Sequence, residues 1–256
     1  MKIKNNVNLK NTGVEHMYIV NYTSDSFKAK NVDTIIIPIG SVEAHGHHLP
    51  LGTDIFSPRL FCEIIEEKIG DSIWIAPEIP YGNSYDLSIY PGTVTMPSEV
   101  MAEYIFHVGK SFYNNEIKNI VFLNGHGGNI TALNLAGEKL VEIGAVVANI
   151  NWWMDFSKDI LTITDGQGHG GEDETSAILW YDESLVHMDK ATKNEKLQLY
   201  PVKFQQRGET IFENAITGDG TLGSKEKGEK IFKLVSEKII ERIRLIQRRK
   251  YFDVLE

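Results

Sequence analysis

Four short apolar runs, rich in β-branched residues, constrain this chain most. They are DTIIIPIG (33–40), SIWIAPEI (72–79), KNIVFLNG (118–125) and GAVVANINWW (144–153). Continuous apolar runs of this length, bounded by turn residues, read as strands buried on both faces. Between them lie amphipathic stretches: FSPRLFCEIIEEKIG (56–70), SEVMAEYIFHVGKSFYNN (98–115) and NITALNLAGEKLVEIG (129–144). Strands alternating with helices predict an α/β fold with a parallel sheet covered by helices on both sides.

The helix starts are legible. Ser98 precedes EVMAEY, and Asn129 or Thr131 precedes ALNLAGEKL, all ordinary N-cap residues. GHGGEDETSAILWYD (168–182) reads as a loop entering a helix with an acidic first turn. A last helix over 225–249 carries Ile231, Leu234, Ile239, Ile243 and Ile246 near helical spacing, so one face packs and the other is solvated. The stretch 184–223 is weakly patterned, with room for a hairpin or a long excursion. No repeat or linker divides the 256 residues, so one domain over 1–256 is expected.

Composition narrows the function. A net charge of −9 argues against a nucleic acid or an anionic membrane as partner, since either favours a basic face. No run approaches the ~20 apolar residues a membrane span needs. The single cysteine, Cys62, cannot form an internal disulfide, and the N-terminal MKIKNNVNLKNTG has no apolar core behind its charges. Both features lead to the expectation of a cytoplasmic protein. Nucleophilic and nucleotide motifs are missing: no G-x-S-x-G elbow, no P-loop, no dinucleotide-binding glycine pattern.

In open α/β sheets ligands gather beyond the carboxyl ends of the strands. Three loops near such ends carry the chemistry. The first, PIGSVEAHGHHLPLGTD (38–54), holds Glu43 and His45 two residues apart, on one side of an extended segment, and Asp54 just before a helix. Carboxylate and imidazole together suit Zn, Mn or Fe. A carboxylate has two oxygens, so Asp54 can bridge two ions while Glu43 and His45 each hold one. In the second loop, NGHGGN (124–129), His126 is a further candidate ligand flanked by glycines. The third, HGGEDETS (169–176), offers His169, Glu172, Asp173 and Glu174. Glu172 and Glu174 do not share a helix face, so one of them is expected to point inward. Glu172, directly after the His-Gly-Gly turn, is favoured. His169 can act as an acid/base or orient a water or the substrate. His47 is expected to be exposed, and His48 to pack near the site. Of Trp152 and Trp153, one is expected in the core and the other can wall a pocket.

The three loops resemble the creatininase (creatinine amidohydrolase) family. GSVEAHGHHLPLGTD is similar to its G-S-x-E-x-H-G-x-H-L-P-x-x-T-D signature, NGHGGN and HGGEDETS to its second and third blocks, and YPGT (90–93) to a segment between them. The resemblance spans roughly 35–180 in the family's order. It implies a three-layer α/β/α fold with a mostly parallel sheet and a site for two divalent metal ions. It implies hydrolysis of a non-peptide C–N bond of a small molecule, and homo-oligomers, often hexamers. By position Glu43, His45, Asp54 and His126 match the metal ligands, with Asp54 as the bridge, and His169 and Glu172 match active-site positions.

One departure stands out. Creatininase proper has Tyr-Glu after the second-loop His, and that Glu is a ligand. Here Gly127 and Gly128 stand instead. The expectation is therefore a branch other than creatininase proper, with Glu172 or Glu174 replacing the missing ligand. Such branches deformylate a formamidopyrimidine, open an oxidised inositol ring, or trim a peptide-derived redox cofactor. The expected chemistry is attack by a metal-activated water on a cyclic amide, lactam or formamide, with His169 or Glu172 moving the proton. The alternatives are C–C ring opening of a keto-inositol and a metal-binding protein without turnover.

Overall fold

The computed structural model of the protein describes residues 17–194, 202–205 and 207–251; the N-terminal stretch read above, 1–13, lies outside them. A short helix α1 (Ser24–Ala29) leads into β1 (Thr34–Ile39), α2 (Thr53–Ile69), β2 (Trp74–Ile75), α3 (Ser98–Asn114), β3 (Asn119–Asn124), α4 (Ile130–Glu142) and β4 (Val146–Asn151). The four strands form one all-parallel sheet in the order β2-β1-β3-β4. Short α5 (Trp152–Asp155) and α6 (Ser157–Ile160) follow, then α7 (Glu172–Asp182), β5 (Lys193–Asn194), α8 (Arg207–Ile211), β6 (Gly218–Asp219) and α9 (Lys225–Gln247).

The period-2 alternation of a strand splits the apolar runs between two cores. Ile36 and Val121 face one way, packed on Phe61 and Ile65 of α2 and on Ile231, Val235 and Ile239 of α9. Ile35, Ile37, Ile120 and Phe122 face the other way, against Ile105 of α3 and Leu133 of α4. Both faces are covered, as the strand composition predicted, and the architecture is three-layered α/β/α.

Two boundaries differ from the sequence reading. β2 is only two residues long: the Ala76 N–H still donates to Ile36 O at 2.9 Å, but Pro38, the next β1 residue facing β2, has no N–H to continue the ladder. Pairing resumes beyond β2, where the Ile79 N–H donates to Pro38 O at 2.9 Å. Helix α2 starts at Thr53, so Asp54 lies within its first turn and not ahead of it. The weakly patterned stretch is an excursion closed by the small antiparallel pair β5–β6.

The strand order fixes where a site can form. After β1 the chain crosses to β2 on one side; after β3 it crosses to β4 on the other. The helices α2 and α4 consequently lie on opposite faces, and the chain segments leaving β1 and β3 diverge. That divergence opens a crevice at the topological switch point.

Candidate metal centre and active site

The crevice is filled by the first and second loops. The loop after β1 carries Glu43 and His45 and ends in Asp54 of α2; the loop after β3 carries His126. They meet tightly. A Cβ on Gly125 would lie 2.1 Å from Asp54 O, so only glycine lets the second loop pass α2 here. Asn129 ties the layers together: its Nδ2 donates to Gly40 O at 3.0 Å and its Oδ1 accepts the Asn83 N–H at 3.1 Å. This work replaces the capping role expected of it, since Asn129 makes no side-chain cap. Ser98 likewise makes no cap and accepts from Asn83 Nδ2 at 2.9 Å.

Three imidazoles surround the carboxylates, each anchored by one nitrogen to a main-chain carbonyl. His45 Nδ1 lies 3.1 Å from Glu43 O, His126 Nε2 2.8 Å from Asn83 O, and His169 Nε2 2.7 Å from Ala44 O. A carbonyl only accepts, so in each ring that nitrogen carries the proton. The opposite nitrogens face acids. His45 Nε2 is 2.9 Å from Asp54 Oδ1 and 3.5 Å from Glu174 Oε2. His126 Nδ1 is 3.0 Å from Asp54 Oδ2 and 3.2 Å from Glu43 Oε1. His169 Nδ1 is 3.5 Å from Glu43 Oε1.

Three ligand groups result: Glu43–Asp54–His126, His45–Asp54–Glu174 and Glu43–His45–His169. Asp54 belongs to the first two and turns one oxygen to each. Both Glu43 oxygens and Asp54 Oδ2 are buried and accept no hydrogen bond from the described residues. Buried carboxylate oxygens of this kind are costly unless a cation meets them. Imidazoles oriented by a second hydrogen bond are also what metal ligation uses. The donor set therefore fits divalent transition metals.

Electrostatics tell the same story. Burial opposes charge on His45, but Asp54, Glu174 and Glu43 outweigh it and raise its pKa to about 10. Burial opposes charge on His126 too, yet Glu43 and Asp54 hold it well above the usual range. Asp54 is held low by His45 and His126 against its burial. Burial pushes Glu174 up to about 8, reinforced by Asp54 and Asp173 and opposed by His45. His169 is the exception: burial and the neighbouring His45 lower it to about 4, so it is neutral. Without a cation the cluster must take up protons to balance its acids.

Glu172 requires a correction. The helix turns it away from the crevice, where its carboxylate pairs with Lys227 of α9 and accepts two main-chain N–H groups. Glu174, the alternative, is the third-loop acid that joins the cluster. His48 is buried and its Nε2 meets Thr175 Oγ1 at 2.9 Å, whereas His47 is exposed. Trp152 is core, and Trp153 lines the cleft.

The cleft above the cluster has a volume of about 910 Å³. Its walls include Tyr85, Trp153, Phe204 and Phe212, with Asp173 and Lys203 as polar additions. The sequence reading missed Asn83, Lys203, Phe204 and Phe212. Phe212 stands edge-on to His169 with ring centroids 5.4 Å apart. No local signal marks these residues, because distant loops bring them in.

A profile of the creatininase family, described as creatinine amidohydrolase, matches residues 9–243. A mycofactocin precursor peptide peptidase of Mycolicibacterium smegmatis is 30% identical over 209 residues, 78% of this chain and 80% of that protein. A 3-dehydro-scyllo-inosose hydrolase of Thermotoga maritima is 28% identical over 206 residues, 77% of this chain and 65% of that protein. Among solved structures, a mutant creatininase of the Zn-Zn type superposes with a TM-score of 0.79 at 22% identity, covering 90% of this chain and 98% of that one. A manganese creatininase gives a TM-score of 0.79 at 23% identity over the same shares of the two chains.

Proposed function

The chain belongs to the creatininase family, and from that premise we propose that it is a binuclear metal-dependent hydrolase of an amide C–N bond. The observation that carries the reading is Asp54, shared between two ligand groups with an oxygen in each. Glu43, Asp54 and His126 would hold one ion; His45, Asp54 and Glu174 the other. Glu174 would supply the third-loop carboxylate of the group around His45, while the group around His126, beside Gly128, would rely on Glu43 and Asp54. When bound, the ions supply Lewis-acid polarisation of a carbonyl and acidify a water.

The remaining work belongs to the chain. His169 Nδ1 bears no proton while Nε2 donates to Ala44 O, so Nδ1 can accept the proton of the attacking water and return it to the leaving nitrogen. Tyr85, Trp153, Phe204 and Phe212 give the cleft apolar walls that exclude water and hold the substrate's body. A volume of about 910 Å³ suits a substrate larger than a single small ring. The 30% identical relative named as a peptide peptidase supports an amide, and widens the expected substrates from lactams and formamides to peptide-like amides. The inosose hydrolase relative favours a second reading, C–C ring opening of a keto-inositol. A polyhydroxylated ring fits these aromatic walls less well than an amide with an apolar body.

Assembly into a homo-oligomer is part of the proposal, supported by Tyr81, Ile89, Val100 and Tyr104, which are exposed. No helix among the described residues is long and apolar enough to cross a membrane.

The test is a substrate panel on zinc- and manganese-loaded protein: short peptides, lactams and formamides against keto-inositols. The proposal expects release of amine from an amide, lost in His169→Ala. Ring opening of keto-inositols with no amide turnover would refute it in favour of the second reading.

A further inference from the structure

Three consecutive acids open α7, and each fastens part of the loop before it. Asp165 and Gly166 donate their N–H groups to Glu172 Oε2 at 2.8 and 3.1 Å. Gly168 N–H and Gln167 Nε2 donate to Asp173, both at 3.1 Å. Gly170 N–H donates to Glu174 Oε2 at 2.6 Å. Of the three, Asp173 and Glu174 line the cleft. Glu172 is only 1% exposed, yet it belongs to none of the ligand groups.

Its second oxygen explains the burial. Oε1 pairs with Nζ of Lys227, in the first turn of α9, and that Nζ also donates to Leu222 O at 3.1 Å. Around this pair α7 and α9 are pressed together. The Ser224 N–H donates to Ser176 Oγ at 3.0 Å, and a Cβ on Gly228 would lie 2.0 Å from Ser176 O. The first turn of α7 is thus fixed from behind by α9, while its front presents Glu174 3.5 Å from His45.

We propose that the Glu172–Lys227 pair is a positioning device that sets where Glu174 meets the second metal ion. Neither residue touches the ion or the reacting atoms. Lys227 supplies the one lysine or arginine partner of these three acids among the described residues. Removing it leaves Glu172 buried without its counter-charge. The first turn must then move to regain solvent or another donor, and Glu174 moves with it. Glu43, Asp54 and His126 sit on other loops and keep their geometry.

The inference rests on the binuclear reading and is tested by stepwise zinc uptake of the metal-stripped full chain. Competition with a chromophoric chelator measures each step, and Glu174→Gln marks the step that belongs to Glu174. In Lys227→Met the first ion should bind as in wild type and the second 10–100-fold more weakly, the range for loss of an outer-shell partner. Lys227→Arg should recover most of the loss. Glu172→Gln/Lys227→Met removes both charges and keeps an acceptor for the loop N–H groups, so it guards against failure to fold; with no uncompensated charge left to move the turn, it should bind the second ion more tightly than Lys227→Met. Melting of each metal-free protein separates positioning from bulk stability. If both ions weaken together in Lys227→Met in step with its melting temperature, or if the second ion binds undiminished in Lys227→Met, the positioning role is overturned. Wild-type protein that takes up fewer than two ions would overturn the binuclear reading and this inference with it.

Discussion

Replacing Gly128 with alanine puts a Cβ 1.9 Å from Asn83 O and 2.6 Å from His126 Nε2. Ordinary contact needs about 3.5 Å, so the Asn83 carbonyl must retreat by roughly 1.5 Å. It cannot do so freely, because Asn83 is held by Asn129 and Ser98. The retreat also breaks the 2.8 Å contact that orients His126. Overpacking a tight site costs about 1–3 kcal/mol, and a lost hydrogen bond adds about 1 kcal/mol. The expected total of about 2–4 kcal/mol corresponds to a fall in melting temperature of roughly 4–16 °C for a chain of this size. Loss of the partner that orients a ligand should also weaken zinc or manganese binding about 10–100-fold. Gly127→Ala is the internal control. Its Cβ would meet only Trp153 Cζ2, at 3.8 Å, so the change should be neutral or stabilising by up to about 1 kcal/mol. Differential scanning fluorimetry of metal-free protein and chelator competition measure both effects. If the two variants melt together and bind metal equally well, Gly128 is not required by the backbone of Asn83. The family's carboxylate would then be absent for some other reason.

Further outcomes follow from the same geometry. His169→Ala should lower kcat about 10²–10⁴-fold while both ions are retained by elemental analysis; loss of an ion instead would place His169 among the ligands. Metal binding should weaken as pH falls, because in the metal-free site His45 near 10, Glu174 near 8 and His126, held well above its usual range by Glu43 and Asp54, carry protons that ligation displaces. Zinc titration in weak buffer at pH 7 should release protons, and uptake independent of pH between 6 and 9 would contradict this. Asn129→Ala strands the Asn83 N–H and Gly40 O and should destabilise by about 1–3 kcal/mol, read as a lower denaturation midpoint.

What the sequence made legible depended on how each part is held. Strands β1, β2 and β3 are buried on both faces, so their composition alone marks them; how short β2 is was hidden because Pro38, the residue that ends its ladder, lies on the neighbouring strand. The first and second loops were readable because the ligands follow strand ends within a few residues. The choice between Glu172 and Glu174 was not local. Two residues along a helix rotate a side chain by about 200°, and which one faces inward depends on Lys227, more than fifty positions away. The excursion before α9 lacks periodicity because single contacts hold it, such as Asn194 Nδ2 donating to Ile211 O at 3.0 Å and Ile216 O at 2.8 Å. Phe212 reaches His169 by that route, which no spacing rule reveals.

The most direct test of the central claim is metal content per chain in wild type and Asp54→Ala, by elemental analysis after reconstitution with zinc. Because Asp54 turns one oxygen to each of the two ligand groups it joins, the account predicts two ions in wild type and loss of both in the variant. One ion or fewer in wild type, or two ions undiminished by the substitution, would contradict it.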